Sequence, residues 1–357
     1  MPTMSGKKMR IAVAMSGGVD SSLAAALLVR RGFAVVGIFM KNFSSEGWAG
    51  VVVKDCPWEQ DQRDAQAVCR KLHIPFSSVN FEREYERKVI RYFFREYRAG
   101  RTPNPDVLCN REIKFDLFWR QAKKMGCAMM ATGHYARTKR GRLYRGLDPR
   151  KDQSYFLYAL TAAQLERTLF PLGAMIKADV RAVARRFKLP TADKKDSQGI
   201  CFVGQVNLRD FLQQRIRPRT GLVKDTEGNV VGRHPGVWYY TIGQRHGLGI
   251  GGGTPLYVAK KDVRTNTLVV AAGRRHPALY RQRVAVESVH WINEQPKLPA
   301  RCSAKLRYQQ PAQRCRVMRA SRGLTLVFDR PQFAVTAGQS AVLYAGSKVL
   351  GGGTIVT

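Results

Sequence analysis

Residues 10–22 of the chain read RIAVAMSGGVDSS, an apolar run that passes without a gap into a glycine-rich turn. Ile11 to Ala14 suit a buried parallel strand. Leu23 to Arg31, rich in alanine and leucine, predict a helix that ends at Gly32. A strand, a glycine-rich turn and a helix in this order point backbone N–H groups and the positive end of the helix at an anion. The segment therefore predicts a phosphate site at the start of an α/β unit.

The turn has a composition that suits phosphate. Gly17 and Gly18 let the backbone approach phosphate closely, and Ser16 and Ser21 add hydroxyl donors. Asp20 fits beside phosphate if it orders the turn or helps to hold Mg²⁺. The turn lacks the lysine of a G-x-x-x-x-G-K-[ST] loop and differs from G-x-G-x-x-G. An ordinary glycine turn is the alternative, but every motif position lies in the context that phosphate binding requires.

Strand and helix patterns alternate through the first part of the chain. Apolar runs predict further strands at 33–39, 76–80 and 128–132, and helical periodicity predicts helices at 60–72, 84–97 and 109–125. Such alternation is typical of a doubly wound parallel sheet with helices on both faces. Ligands of these sheets bind at the carboxyl ends of the strands. We therefore expect one crevice there, formed by Ser16, Met40, the proline-rich loop 101–108 and Gly133–His134.

The character of the sequence changes after Cys201. Glycine-rich turns separate short stretches from about Gly221, and several runs between 283 and 357 alternate apolar with polar residues. Many short strands joined by turns are typical of a small antiparallel barrel. The sequence thus predicts a catalytic α/β domain at 1–205, a small linking domain at 206–280 and an antiparallel β-barrel at 281–357.

Composition limits the classes of function. The chain of 357 residues carries 61 lysines and arginines against 26 aspartates and glutamates, a formal net charge of +35. Lysine and arginine neutralise phosphate, so this excess favours a polyanion as partner, although a general bias toward basic residues would give the same count. No apolar run is long enough to cross a bilayer, and residues 1–10 lack the apolar core of a signal peptide. We expect a cytoplasmic protein with no membrane partner.

Two of the seven cysteines stand out by their surroundings. Cys109 follows the proline-rich loop where a helix is predicted to begin, and a helix N-terminus stabilises a thiolate. Asp106, shortly before it, can act as general acid or base. Cys201 lies in a loop with two nearby lysines, which also favour thiolate. The other cysteines are interpreted as buried and inert, and the absence of C-x₂-C or H-x₃-H spacing predicts no zinc site.

A phosphate-binding turn and two loop cysteines together indicate a sulfur-transfer reaction. ATP would convert a carbonyl oxygen into an adenylate, which is a good leaving group. A cysteine persulfide would replace it with sulfur, and the second thiolate would release that sulfur and leave a disulfide. A nucleobase carbonyl as the acceptor would agree with the basic charge.

The order of motifs resembles that of the tRNA-specific 2-thiouridylases, the bacterial MnmA family within the ATP pyrophosphatase superfamily, whose fold is adenine nucleotide hydrolase-like. Matching segments include AMSGGVDSS, GIFMKNF, AGRTPNPDVLCNREIKF, ATGHYAR, LDPRKDQSYFLY, KKDSQGICFVG, TIGQRHGLGIGG, KLRY and TAGQSAVLY, in family order from Arg10 to Thr357. The resemblance implies ATP-dependent 2-thiolation of the wobble uridine of tRNA. It also implies a monomer that receives sulfur from a persulfide-donating carrier or a cysteine desulfurase.

The resemblance implies roles for individual residues as well. ATP, with Mg²⁺, would bind at Ala14, Met15, Ser16, Gly17, Gly18, Val19, Asp20, Ser21, Met40 and Gly133. The target base and the rest of the tRNA would be contacted by Asn104, Pro105, Asp106, His134, Lys151, Asp152, Gln153, Arg307, Tyr308 and Gln339. Cys201 would carry the persulfide, Cys109 would be the second nucleophile and Asp106 the acid or base. The family pattern assigns no residue to a resident metal.

Two other functions remain open on the sequence. Another adenylating enzyme with this turn, such as an amidating synthetase for a small metabolite, would need neither Cys109 nor Cys201 and no C-terminal barrel. A non-catalytic RNA-binding protein would need neither the intact turn nor the cysteines. Segment 44–54, often acidic in the family, carries only Glu46 as an acid here, so no family contact is carried over to it.

Overall fold

The structure is a computed structural model that describes residues 8–44, 58–196, 207–251 and 253–356. Cys201, expected to carry the persulfide, and Cys56 lie outside the described residues. The described chain forms three β-sheets with helices concentrated in the first half.

The regular elements are as follows. The strands are β1 (Arg10–Met15), β2 (Ala34–Lys41), β3 (Phe76–Asn80), β4 (Met129–Ala131), β5 (Ala136–Lys139), β6 (Arg142–Arg145), β7 (Thr168–Leu169), β8 (Gly221–Lys224), β9 (Val230–His234), β10 (Leu256–Asp262), β11 (Thr267–Ala272), β12 (Tyr280–Trp291), β13 (Ala300–Lys305), β14 (Gln313–Arg319), β15 (Leu324–Phe333), β16 (Ser340–Ala345) and β17 (Lys348–Val356). The α-helical segments are α1 (Val19–Arg30), α2 (Trp58–Lys71), α3 (Glu82–Tyr85), α4 (Arg91–Arg98), α5 (Pro105–Leu108), α6 (Phe118–Lys124), α7 (Ala162–Glu166), α8 (Lys177–Arg186) and α9 (Leu208–Gln213). Segments with wider, π-type turns continue two of these helices at Glu86–Ile90 and Cys109–Leu117.

The first sheet confirms the predicted doubly wound α/β architecture. Its five strands run parallel in the order β3-β2-β1-β4-β7. Alternate residues of β1 face opposite sides: Ile11 packs in a core with α1, α2 and α8, whereas Ala12 packs in a core with α6. Both faces are therefore covered, as the continuous apolar run of β1 requires.

One predicted helix begins earlier than expected. Pro105 occupies the first helical position, with Asn104 as the N-cap residue, and the helix continues through Cys109–Leu117 into α6. Cys109 therefore lies inside the helix and is fully buried. The expectation that a helix N-terminus stabilises its thiolate was wrong, because proline favours helix initiation at its own position. Asp106 lies in the first turn instead.

The second half of the chain forms the two remaining sheets. Strands β8 to β11 form a four-stranded sheet in the order β10-β11-β8-β9. Strands β12, β15, β14, β13, β16 and β17 pair antiparallel, and the β12–β17 pairing closes them into a barrel, as predicted. The hairpin β5–β6, which the sequence analysis did not predict, extends the barrel sheet from β17. We keep the expected domain boundaries, after residues 205 and 280, as a proposal.

The proline-rich loop 101–108 is held by the barrel. The backbone N–H of Thr102 donates to the carbonyl of Ala337 at 2.9 Å, and the Gln339 amide donates to the carbonyl of Thr102 at 2.9 Å. The buried hydroxyl of Tyr155 donates to the carbonyl of Ser340 at 2.9 Å. The position of this loop, and of the helix that follows, thus depends on the barrel.

In the part of the chain that the structure describes, no helix combines the length and the apolar character needed to cross a bilayer.

Substitution of Gly338 should weaken this contact. Gly338 has φ +90°, and a Cβ there would lie 2.8 Å from the carbonyl oxygen of Thr102. Gly346 also has positive φ, +59°, but a Cβ there would meet no atom within 4 Å. Gly346→Ala should therefore cost only the backbone strain, about 1–2 kcal/mol. Gly338→Ala should cost about 1–3 kcal/mol more, because the methyl group overlaps backbone.

The measurement is thermal unfolding of both variants together with limited proteolysis. Gly338→Ala should melt at a lower temperature than Gly346→Ala and should be cleaved faster within 101–108. Equal melting temperatures and equal cleavage would show that the barrel does not hold the loop.

Candidate functional site

The glycine-rich turn is ordered by its own serines. The backbone N–H of Ser16 donates to the Ser21 hydroxyl at 3.1 Å, and that hydroxyl donates to the carbonyl of Gly18 at 3.1 Å. Gly17 has φ +71° and packs so closely on α2 that a Cβ would lie 2.3 Å from the carbonyl oxygen of Asp61. Glycine is therefore required at this position both by conformation and by space.

The N-terminus of α1 is suited to bind an anion. No side chain caps it, and Gly18 in extended conformation is its N-cap residue. The first N–H groups of a helix have no partner within the helix, and the helix dipole makes this end positive. A phosphate group placed there would accept hydrogen bonds from these N–H groups.

The end of β4 closes against this turn. A Cβ on Gly133 would lie 2.7 Å from the carbonyl carbon of Asp20 and 2.8 Å from the nitrogen of Ser21. Met40, at the end of β2, is buried in the same core as Ala14. The sheet topology therefore brings the expected nucleotide-binding positions at residues 14–21, 40 and 133 to one edge of the sheet, as the parallel arrangement predicts.

Asp20 is held by two side chains from other elements. The ammonium group of Lys177 lies 2.7 and 2.8 Å from its two carboxylate oxygens, and the Tyr135 hydroxyl donates to one of them at 2.7 Å. These contacts connect the first turn of α1 to α8 and to Tyr135, and both functions considered for Asp20 stay predictions. Burial raises the pKa of Tyr135, and the neighbouring Asp20 carboxylate raises it further, so the phenol stays protonated.

Lys177 also contacts Asp196, the last described residue before segment 197–206. The Lys177 ammonium lies 2.9 Å from Asp196, and the Arg181 guanidinium lies 2.7 Å from it. Lys151, expected to contact tRNA, lies 2.7 Å from the same carboxylate. Although burial opposes ionisation, hydrogen bonds from Lys151 and Lys177 lower the pKa of Asp196 to about 2. The turn and the start of this segment are thus joined through one ammonium group.

The sequence analysis did not single out Lys177. It occupies the first position of α8, where the helix dipole disfavours a cation, and its side chain is only 13% exposed. A lysine at such a position is a signal that it has an anionic partner elsewhere in the fold. Tyr135 was quoted within ATGHYAR but was given no role, since nothing local shows that its hydroxyl reaches Asp20.

A pocket of about 380 Å³ lies where the α/β domain, α9 and the barrel meet. It is lined by Phe93, Tyr97, Pro103, Asn104, Pro105, Asp106, Tyr155, Phe156, Leu208, Tyr308 and Gln339. Five of these are residues expected to contact the target base or the tRNA: Asn104, Pro105, Asp106, Tyr308 and Gln339. The rings of Phe156 and Tyr308 pack with centroids 4.5 Å apart. Aromatic walls with a few polar groups suit a planar heterocycle.

The helix that carries Asp106 runs beneath this pocket. Cys109 belongs to the same apolar core as Phe93 and Tyr97, which line the pocket. The Asn110 amide donates to the carbonyl of Phe156 at 3.1 Å. Asp106 therefore lines the pocket, and Cys109 is buried in the core behind it.

Other residues expected to contact tRNA make contacts within the protein. Asp152 is 3% exposed and accepts hydrogen bonds from the backbone N–H groups of Gly146 and Ser154. Gln153 accepts from the backbone N–H of Tyr135 at 3.0 Å. Their roles toward tRNA stay predictions. In this structure they hold the backbone at Tyr135, Gly146 and Ser154.

Arg307 and His134 are similarly engaged. The Arg307 guanidinium donates to the carbonyls of Ile242 at 2.8 Å and Ala334 at 2.7 Å, which joins the segment between β9 and β10 to the barrel. The His134 ring nitrogen Nδ1 lies 2.8 Å from the Thr132 hydroxyl. Burial lowers the pKa of His134 well below 6.5, and the charge of Lys114 acts in the same direction. His134 is therefore a neutral hydrogen-bonding group rather than a cation.

The described residues contain no cluster of three or more histidine, cysteine or acidic side chains that could hold a metal ion. Asp20 is the carboxylate at the turn, and its oxygens are bound by Lys177 and Tyr135. A Mg²⁺ ion commonly uses one protein carboxylate together with phosphate oxygens and water. Asp20 would be such a carboxylate once the Lys177 ammonium moves from Asp20 to a phosphate group.

Family models match the chain in three consecutive parts. Residues 9–205 match the tRNA methyl transferase HUP domain, and residues 209–272 match the tRNA methyl transferase PRC-barrel domain. Residues 281–355 match the aminomethyltransferase beta-barrel domain. These ranges cover the α/β domain, the second sheet and the closed barrel.

Curated relatives match nearly the whole chain. The tRNA-specific 2-thiouridylase MnmA of Pseudomonas fluorescens (strain Pf0-1) is 48% identical over 98% of this chain and 95% of its own. The tRNA-specific 2-thiouridylase MnmA 2 of Geobacillus kaustophilus (strain HTA426) is 49% identical over 97% of this chain and 94% of its own. The chain belongs to the tRNA-specific 2-thiouridylase family. Although the domain models carry the name of methyl transfer, the relatives that span the whole chain are named for thiolation.

More distant solved structures overlap with part of this family member. A 4-thiouridine synthetase in complex with RNA and bound ATP shares 16% identity and a TM-score of 0.35, covering 58% of this chain and 50% of that chain. A likeness of this size carries no argument about the site.

The neutral state of His134 can be tested by titration. Since its folded pKa is lowered, protonation favours the unfolded chain, and the protein should lose stability as pH falls below the unfolded value near 6.5. The His134→Gln variant should lose this part of the pH dependence. The measurement is NMR titration of the imidazole, with the variant used to assign its resonance, together with melting temperatures between pH 5 and 7. Titration of His134 near 6.5 would contradict the assignment.

Proposed function

We propose that this chain is an ATP-dependent sulfurtransferase that thiolates the C2 position of the wobble uridine in tRNA. One observation carries the proposal: the phosphate-binding turn and the aromatic pocket are built on one core. Ala14 and Met40, beside the turn, share that core with Val107 and Tyr155, beside the pocket. A nucleotide bound at the turn and a base bound in the pocket would therefore be held by one rigid body.

ATP is the activating substrate in this proposal. Its phosphates would bind the N-terminus of α1 and the hydroxyl groups of the turn, with the adenine toward Met40. Lys177 would contribute a positive charge, because its ammonium group already lies at the turn, on Asp20. Release of Asp20 by Lys177 would leave that carboxylate available to Mg²⁺, which would neutralise the charge of the departing pyrophosphate.

The uridine would occupy the pocket beside Asp106. Phe156 and Tyr308 offer ring faces to stack on the base, and the amides of Asn104 and Gln339 offer hydrogen bonds to its edge. Gln339 now donates to the carbonyls of Thr102 and Pro103, so it also fixes the loop that forms the pocket floor. The C2 oxygen would attack the α-phosphorus of ATP and release pyrophosphate.

Sulfur would then replace the adenylated oxygen. The outer sulfur of a persulfide on Cys201 would bond to C2, and AMP would leave with the former C2 oxygen. Cys109, in the core behind the pocket, would attack the Cys201 sulfur, break its bond to the transferred sulfur and leave a Cys109–Cys201 disulfide. Asp106 lies in the pocket wall and would transfer the proton. A persulfide-donating carrier or a cysteine desulfurase would reload Cys201, and cellular thiols would reduce the disulfide, which agrees with a cytoplasmic monomer.

The outer face of the barrel supports RNA as the partner. Arg301 lies opposite Arg316 on paired strands, and the row continues through Val327 to Arg283. All three arginines are exposed. Like charges directly opposite each other destabilise a sheet, so such a row favours a polyanion that covers it.

Thiolation itself tests the proposal. Purified protein, ATP, Mg²⁺, a persulfide source and unmodified tRNA should yield 2-thiouridine, detected by mass analysis of nucleosides. Cys201→Ser and Cys109→Ser should each lower the yield at least about 100-fold, whereas Cys127→Ser, which removes another buried thiol, should not. Pyrophosphate release that needs no tRNA and neither cysteine would favour the amidating synthetase. RNA binding without pyrophosphate release would favour a non-catalytic RNA-binding protein.

A second test concerns Lys177. Lys177→Met should raise the KM for ATP about 10- to 100-fold, because a charge-assisted contact to phosphate contributes about 1.5–3 kcal/mol. The KM for tRNA should stay unchanged. Lys123→Met removes an exposed lysine from α6 and serves as control. Equal effects on both KM values, with a lowered melting temperature, would show that Lys177 only joins α8 to the turn.

A further inference from the structure

We propose that Cys302 and Cys315 form a redox-active thiol pair, which closes to a disulfide across β13 and β14 when it reacts with a low-molecular-weight disulfide. The pair belongs to the barrel and is separate from Cys109 and Cys201. The sequence analysis interpreted both residues as inert thiols, since their spacing along the chain shows no motif. The proposal does not depend on the proposed function.

The two thiols face each other across paired strands. Cys302 and Cys315 are direct partners in the register of β13 and β14, and their sulfur atoms are 3.7 Å apart. Directly opposite residues of antiparallel strands have Cα atoms about 4.5–5.5 Å apart. That separation lies within the range of about 4.4–6.8 Å that disulfides span. Side-chain rotation alone can therefore bring the sulfur atoms into bonding distance.

The two thiols differ in exposure, and the more exposed Cys302 is therefore assigned to react first with the external disulfide. Cys302 is partly exposed, whereas Cys315 is 3% exposed and packs in the barrel core with Val317 and Phe328. The sulfur atoms of Cys302 and Cys315 are in hydrogen-bonding contact, and the backbone N–H of Tyr344 donates to the Cys302 sulfur. These bonds lower the pKa of Cys302, and the same pairing and burial raise the pKa of Cys315.

The reaction then has two exchange steps. The Cys302 thiolate attacks one sulfur of the external disulfide, forms a mixed disulfide and releases one thiolate. The sulfur of Cys315 attacks Cys302 in the mixed disulfide, passes its proton to the departing sulfur and releases a second thiol. In total, two protein thiols are oxidised and one external disulfide is reduced to two thiols.

The disulfide would close the hairpin that reaches the pocket. The register continues from Cys302–Cys315 to Ala304–Gln313, and the connection beyond carries Arg307 and Tyr308. Tyr308 lines the pocket, and Arg307 joins the barrel to the segment between β9 and β10. Oxidation therefore constrains the one hairpin that presents these two residues.

Two other buried thiols give matched controls. Burial raises the pKa of Cys69 to about 12, and burial also raises the pKa of Cys127. Neither thiol is in a β-strand, so neither has a cysteine opposite it in a sheet: Cys69 is in α2 and Cys127 precedes β4. They should stay reduced under conditions that oxidise Cys302 and Cys315.

The test is oxidation of the full-length protein with oxidised glutathione, followed by intact mass and by peptide mapping after pepsin digestion without reduction. We expect a linked peptide that joins 302 to 315 and a melting temperature several degrees above that of the reduced protein, since the cross-link restricts the unfolded chain. Cys315→Ser should stop the reaction at a glutathione adduct on Cys302. Cys302→Ser should prevent reaction at Cys315.

The outcomes separate the proposal from inert packing. A linked peptide in the wild type, lost in both serine variants and kept in Cys127→Ser, supports it. A stable glutathione adduct at Cys302 in the wild type, or no reaction at either residue while Cys69 and Cys127 are also unmodified, overturns it. Cys302→Ala and Cys315→Ala, which keep the apolar packing better than serine, guard against misfolding as the cause of a lost linkage.

Discussion

The ion pair between Asp20 and Lys177 is the interaction on which the arrangement of the site depends. It joins the first turn of α1 to the start of α8, and through Asp196 it reaches the beginning of segment 197–206. The Lys177 ammonium, only 13% exposed, holds both carboxylates, and Tyr135 also binds Asp20 while Lys151 and Arg181 also bind Asp196. A triphosphate has the charge to replace a carboxylate as the partner of Lys177, and a released Asp20 carboxylate would then need a cation such as Mg²⁺ in place of the ammonium group.

The pocket shows a second dependence, on packing between parts of the chain that are far apart in sequence. Asn104 and Asp106 come from the start of the helix that begins at Pro105 in the α/β domain, whereas Tyr308 and Gln339 come from the barrel. The hydrogen bond from Tyr155 to Ser340 and the close contact of Gly338 with Thr102 hold these parts together. The barrel therefore forms part of the site itself, and a change in the barrel reaches the pocket. The thiol pair in β13 and β14 belongs to the hairpin that carries Tyr308 to this pocket.

Four residues show how much of the site local pattern reveals. Gly17 and Gly18 could be placed in the turn between β1 and α1 because a strand, turn and helix follow one another without interruption. Cys109 was placed at the wrong point of its helix, because Pro105 starts the helix a turn earlier. Asp152, expected at tRNA, is buried and binds backbone N–H groups of Gly146 and Ser154, which only the folded chain brings to it.

The sequence by itself determined the parallel sheet, the glycine-rich turn and the barrel, because apolar periodicity and glycine turns act over a few residues. It also carried the family, because the motifs follow one order along the chain. Only the tertiary structure decided that Lys177 and Tyr135 bind Asp20, that Arg307 binds the carbonyl of Ile242, and that Cys302 faces Cys315. The physical reason is that strand register and the packing of distant elements set these contacts, and neither leaves a pattern at any single position.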